Sequence, residues 1–127
     1  MLPQEIRLLV VEDNPDLLEL LASILFHQGW QVSASQGPDA ALQIAQQQPP
    51  TLLITDFDMP GCNGLALLAR LRDRESMSAL PAILLSGHDL AAIDLPGNVC
   101  WLRKPVTPSR LGSTIAQLLS QVADAAD

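Results

Sequence analysis

Six polar side chains in this sequence have the types and spacing to do chemistry together. Glu12 and Asp13 end one short apolar run. Asp56 ends a second, "LLITD", and Asp58 follows two residues later. Ser86 closes a third run, and Lys104 follows a fourth, with Pro105 next. Carboxylates just outside a buried strand are costly unless something compensates for them. Two unit charges about 4 Å apart repel by roughly 4 kcal/mol at an effective dielectric near 20. If Glu12, Asp13 and Asp56 meet, they call for a cation. Oxygen-only ligands suit a hard ion such as Mg²⁺, which takes one or two carboxylates and keeps waters and phosphate oxygens. A lysine and a hydroxyl beside such a cluster complete a phosphoryl-transfer site. The lysine neutralises phosphoryl oxygens, the hydroxyl donates, and one carboxylate acts as nucleophile. Taken singly, each residue reads more simply as a helix cap, a turn residue or a surface lysine.

The elements that could bring them together alternate along the chain. Ile6 to Val11, Trp30 to Ser35, Thr51 to Thr55, Ala82 to Ser86 and Val99 to Leu102 read as five strands. The third is apolar without alternation, as suits a parallel sheet covered on both faces. Between them lie helical patterns. The first has Asn14 as N-cap, Pro15 as first helical residue, Gly29 at its end, and an inner stripe of Leu17, Leu18, Leu21, Ile24 and Leu25. Pro38 to Gln47 is the second, with Ala41, Leu42 and Ile44 inside. Leu65 to Arg74 is the third. Thr107 to about 122 is the last, striped by Leu111, Ile115, Leu118, Leu119 and Val122, with a frayed "ADAAD" tail. The segment "GHDLAAIDLPGN" leaves room for little more than two helical turns before Pro96 and Gly97. This alternation predicts an α/β domain with a parallel sheet. In such a sheet ligands bind beyond the carboxyl ends of the strands, which is where the six polar residues fall; Asp56 lies centrally and is the natural nucleophile.

Composition fits one domain. The chain has 127 residues, 48% hydrophobic and only 3% aromatic, so the core must be aliphatic. A net charge of −7 without a Lys/Arg cluster argues against direct nucleic-acid binding. No apolar run is long enough for a bilayer, and Glu5 and Arg7 interrupt any signal-peptide pattern, so a cytoplasmic location is expected. Cys62 and Cys100 fit no metal spacing and read as reduced thiols.

Four segments, in order, resemble the receiver domain of two-component response regulators: "VVEDN", "LLITDFDMPGCNG", "ILLSG" and "WLRKP". The resemblance spans residues 1–127 as one domain, its core about 5–122, with no effector domain. It implies a flavodoxin-like, doubly wound sheet of order 2-1-3-4-5. It also implies that Asp56 accepts a phosphoryl group from a partner histidine kinase or phosphotransfer protein. Asp13, Asp56 and the backbone carbonyl of Asp58 would ligate Mg²⁺ directly, and Glu12 largely through water. Lys104 would contact the phosphoryl group, Ser86 would swing toward it, and Trp101 would turn inward behind it. The Lys104–Pro105 bond would be cis. The output would pass to a downstream protein or a fused effector domain. The chain would catalyse only its own phosphorylation and dephosphorylation.

The departures are equally specific. The stretch from Ser86 to Lys104 is short for the family by about one helical turn, so the fourth-helix region is expected to be curtailed. Trp101 stands where tyrosine or phenylalanine is usual. Asp58 and His88 flank the phosphorylation site and are expected to tune hydrolysis of the acyl phosphate. Two alternatives stand beside the leading reading. One is a phosphorylation-independent interaction module with the same fold. The other is a haloacid-dehalogenase-like phosphohydrolase, suggested by the "DFD" run.

Overall fold

The computed structural model describes residues 6–126. Strands β1 (Arg7–Val11), β2 (Gln31–Ser35), β3 (Leu52–Asp56), β4 (Ala82–Ser86) and β5 (Val99–Arg103) form one parallel sheet ordered β2-β1-β3-β4-β5. Four helices pack on it: α1 (Pro15–His27), α2 (Pro38–Gln47), α3 (Gly64–Arg72) and α4 (Pro108–Ala126). A 3₁₀ turn at Glu75–Met77, not anticipated from the pattern, links α3 to β4.

The sheet is covered on both faces because its strands are apolar on both. Every residue of β3 and β4 is buried. On one face, Leu8, Val10, Leu52, Ile54, Ile83, Leu85 and Leu102 meet Leu18, Leu21 and Leu25 of α1 and Leu111, Ile115 and Leu118 of α4. On the other, Leu9, Val11, Leu53 and Ala82 meet Ala41 and Ala45 of α2 and Leu67, Leu68 and Leu71 of α3. In α2 the most buried positions are therefore two alanines. Leu42 and Ile44 pack only at the margin, and Ala45 was not in the expected stripe. Small residues there let the helix lie close to the strands.

Local chemistry sets the helix ends. The Asn14 side chain accepts hydrogen bonds from the Asp16 and Leu17 amides at 3.0 and 3.2 Å, with Pro15 as first helical residue. Gly29 leaves α1 at φ +96°, a region closed to most side chains. Asn63 caps α3 through the Ala66 amide at 2.8 Å. α4 runs to Ala126, beyond the expected end near residue 122; Asp127, the last residue of the expected frayed tail, and Glu5, where the core was expected to begin, lie outside the described residues.

The curtailment between β4 and β5 goes further than expected. Residues 87–98 contain no helix. Asp89 accepts from the Ala91 amide at 2.7 Å, and one turn closes between Leu90 and Ile93. Four residues, Leu90 to Ile93, between a turn-forming aspartate and the Asp-Leu-Pro-Gly stretch are too few to nucleate a helix. What fixes this crossover instead is Leu90, 3% exposed, and Arg72. The Arg72 guanidinium donates from Nε (3.1 Å) and Nη2 (2.7 Å) to the Leu80 carbonyl, and from Nη2 to the Gly97 carbonyl at 2.9 Å. Hydrogen bonds from a charged donor contribute about 1.5–3 kcal/mol. Replacement of Arg72 by alanine is expected to lower stability by about 1–3 kcal/mol and to accelerate amide exchange across residues 87–98 more than in β1 or β3. Hydrogen exchange read residue by residue measures both.

Candidate functional site

Each sequence-predicted residue arrives at the carboxyl edge of the sheet by its strand register. Val11 pairs with Thr55, which puts Glu12 and Asp13 beside Asp56. Asp56 pairs with Leu85, which puts Ser86 next to it. Ser86 pairs with Arg103, one residue before Lys104. Carboxylate oxygens of Glu12, Asp13 and Asp56 lie within 4.8 Å of one another. Lys104 Nζ sits 2.6 Å from Asp56 Oδ1 and 2.8 Å from Glu12 Oε1. The Lys104–Pro105 peptide is cis, as the resemblance implied.

Burial divides the roles. Glu12 is 1% exposed and Asp56 6%, whereas Asp13 is open to solvent. The second Glu12 oxygen accepts the Asn14 amide at 3.0 Å, so both of its oxygens are engaged. Burial raises the Asp56 pKa to about 6, against the pull of the Lys104 hydrogen bond and charge; the Glu12 charge adds to the rise. Asp13 is lowered, chiefly by its side-chain hydrogen bond with Glu12. For Lys104, burial alone would lower the pKa, but its hydrogen bonds to Asp56 and Glu12 outweigh it and the net shift is upward. Three carboxylates share one ammonium, so the pocket keeps a negative excess. An all-oxygen donor set of this kind, one ligand solvent-facing and two fixed, fits a hard divalent cation.

The remaining expected residues are placed less centrally. Ser86 is buried, and its hydroxyl oxygen accepts the His88 amide at 2.9 Å, so it is turned into its own loop. Asp58 and the His88 side chain are exposed on loops flanking the pocket. Trp101 pairs with Leu84 on the edge strand and is half-buried. Sequence reasoning missed Gly64. A Cβ there would lie 2.8 Å from the Asp56 carbonyl oxygen and 3.0 Å from Thr55 Cγ2, and its amide donates to the Phe57 carbonyl at 2.8 Å. The signal was available: a glycine opening a helix directly after the loop that follows Asp56.

The Asp56 shift has a definite sign in the metal-free protein. A carboxyl whose folded pKa exceeds its unfolded value binds protons more tightly when folded. Its contribution is fully present below pH 3.8 and is lost as pH rises through about 6. Asp56→Asn is therefore expected to stabilise the metal-free chain at pH 7 by about 1–3 kcal/mol, a gain that vanishes as pH falls toward 4. Denaturant midpoints in a chelator-containing pH series measure it.

The geometry has counterparts among known proteins. The family described as the response regulator receiver domain matches residues 8–116. A 14.6 kDa protein encoded beside sodA1 in Leptolyngbya boryana is 32% identical over 117 residues, covering 89% of both chains. Protein PilH of Pseudomonas aeruginosa is 29% identical, covering 90% of this chain and 98% of its own. The transcriptional regulatory protein GlrR of Escherichia coli is 31% identical, but this chain spans only 28% of it. Among solved structures, the receiver domain of the hybrid histidine kinase CckA superposes with a TM-score of 0.76 at 30% identity, covering 89% of this chain and 98% of that one. A receiver domain protein from Clostridium thermocellum shares the fold with a TM-score of 0.82 at 23% identity, covering 93% and 97%. These matches leave the phosphohydrolase alternative without support. By its sequence, strand order and acidic edge, the chain belongs to the response regulator receiver domain family of two-component signalling.

Proposed function

We propose that Asp56 accepts a phosphoryl group from a phosphohistidine on a partner kinase or phosphotransfer protein, and that the acyl phosphate shifts a surface read by a downstream partner. The observation that carries this reading is the Lys104 ammonium 2.6 Å from the Asp56 carboxylate, inside a ring of two further acids. A pKa near 6 leaves Asp56 mostly ionised at neutral pH, so the nucleophile is available. One of its oxygens forms the new O–P bond while the donor's P–N bond breaks, and the departing imidazole nitrogen keeps the electron pair. Lys104 is positioned to neutralise charge on the phosphoryl oxygens. Asp13, Asp56 and the Asp58 carbonyl would hold Mg²⁺, with Glu12 behind them; the ion supplies charge neutralisation at the transferred group. Ser86, whose oxygen accepts the His88 amide, keeps its hydroxyl proton to donate to the phosphoryl group. An inward turn of Trp101 would follow in the space behind it. Asp58 and His88, exposed on either side, tune access of the hydrolytic water.

The surface beside this pocket suits the donor. A cleft of about 330 Å³ runs between α1 and the β5–α4 loop, lined by Leu17, Leu20, Ile24, Pro105, Val106 and Lys104. Leu20 is 55% exposed at its rim. An apolar groove that shares Lys104 with the acceptor site can seat a helix of the phosphohistidine protein against α1. The helix-free crossover at residues 87–98 favours a second reading, an interaction module that does not use phosphate.

Acetyl phosphate separates the two. With Mg²⁺, the chain is expected to gain one phosphoryl mass on Asp56, Asp56→Asn none, and Lys104→Ala to label about 10²-fold more slowly. Asp58→Ala and His88→Ala are expected to change the decay of the label. Absence of labelling would leave the module reading. Millimolar Mg²⁺ is also expected to raise the melting temperature of the wild type but not of Asp13→Asn. Leu20→Glu is expected to slow transfer from a phosphohistidine donor at least tenfold while leaving acetyl phosphate labelling unchanged.

A further inference from the structure

The missing crossover helix has a consequence on the opposite side of β5. Trp101 and Arg103 alternate on this edge strand and so face the same way, the face that carries α2 and α3. No helix follows β4 to cover them. Arg110, from the first turn of α4 on the other face of the sheet, lines the same cleft. The three side chains line a half-open cleft of about 450 Å³. That is within the 300–1,000 Å³ typical of small-molecule sites.

The lining is unusual for this protein. The chain has 14 acidic residues and 7 Lys and Arg, yet two guanidiniums converge here. Among the described residues neither has a carboxylate partner. Arg72 and Lys104, by contrast, are spent on carbonyls and carboxylates of the protein itself. Like charges sharing a cleft repel, and the arrangement is relieved by an anion. Guanidinium forks match phosphate oxygens bidentately. The Trp101 indole makes no ring or cation contact among the described residues, so its π-face is available to a planar ring. An amphipathic partner helix needs an aliphatic groove, and here no aliphatic side chain lines the cleft; the α1 cleft has that character and this one does not.

We propose that Trp101, Arg103 and Arg110 form a site for a nucleotide, its base stacked on Trp101 and its phosphate held by the two arginines. The site is separate from the Asp56 pocket and is formed in the unphosphorylated chain. The test is a titration of the full chain, without divalent metal, with GMP and AMP, following the indole and arginine side-chain signals by NMR. Trp101→Phe assigns the Trp101 indole signal apart from that of Trp30. Saturable shifts of Trp101, Arg103 and Arg110 are expected for at least one nucleotide. Arg103→Ala and Arg110→Ala should each weaken it about tenfold, Trp101→Leu should weaken it comparably, and Asp56→Asn should leave it unchanged. Inorganic phosphate and the free nucleosides should each bind far more weakly. Three results overturn the proposal: no saturation by either nucleotide at millimolar concentration, inorganic phosphate binding as well as the nucleotides, or polyglutamate saturating the same signals while neither nucleotide does. The last would make the cleft a docking face for an acidic protein segment.

Discussion

The structure turns on one ammonium group. Lys104 Nζ is held between Glu12 and Asp56, two acids that are almost wholly buried. Buried carboxylates without a counter-charge either cost several kcal/mol or give up their ionisation. The lysine lies 92 residues from Glu12 along the chain, so the pairing exists only if β1, β3, β4 and β5 are adjacent and in register. Sheet order and site chemistry are therefore one constraint. A slip of one residue in β5 would turn Lys104 to the other side of the strand end and leave the acids uncompensated.

The same constraint explains what was legible beforehand. Helix and strand identity could be read because the apolar periods of α1, α4 and the central strands are long and unbroken. The pocket could be read because Glu12, Asp13, Asp56, Ser86 and Lys104 each lie at or just beyond a strand's carboxyl end, and parallel topology sends all those ends to one edge. What escaped is mostly relational. That Lys104 would spend its bonds on Glu12 as well as Asp56 depends on how far a flexible chain reaches, not on residue type. The full burial of Ala45, with Leu42 and Ile44 left at the margin, depends on how closely α2 approaches the strands. Gly64 matters because of the Asp56 carbonyl above it, a neighbour invisible until the loop is built.

The crossover between β4 and β5 is the instructive departure. Sequence pattern left room for a stub of helix there, and the chain forms none. A parallel connection needs enough residues to climb back over the sheet, and a helix is the usual means of satisfying its backbone on the way. Here Asp89 satisfies one amide of the crossover and Arg72 one of its carbonyls, that of Gly97. Side-chain hydrogen bonds have replaced a helix's own ladder, at the cost of leaving β5 half-covered.

That substitution changes what α3 connects. At its first residue, Gly64 is packed against the carbonyl of Asp56; at its last, Arg72 ties the Gly97 end of the crossover to Leu80 at the approach to β4. Nine helical residues span about 14 Å. A helix of that length, buried along Leu67, Leu68 and Leu71, moves as a unit because a close-packed interior does not deform continuously. In a chain with a full crossover helix, the crossover would hold its own shape whatever α3 did. In this one it has no internal ladder, and its Gly97 end leans on α3 through Arg72. The absent helix thus leaves the edge strand open and makes α3 the support both of the backbone beside Asp56 and of the end of the crossover.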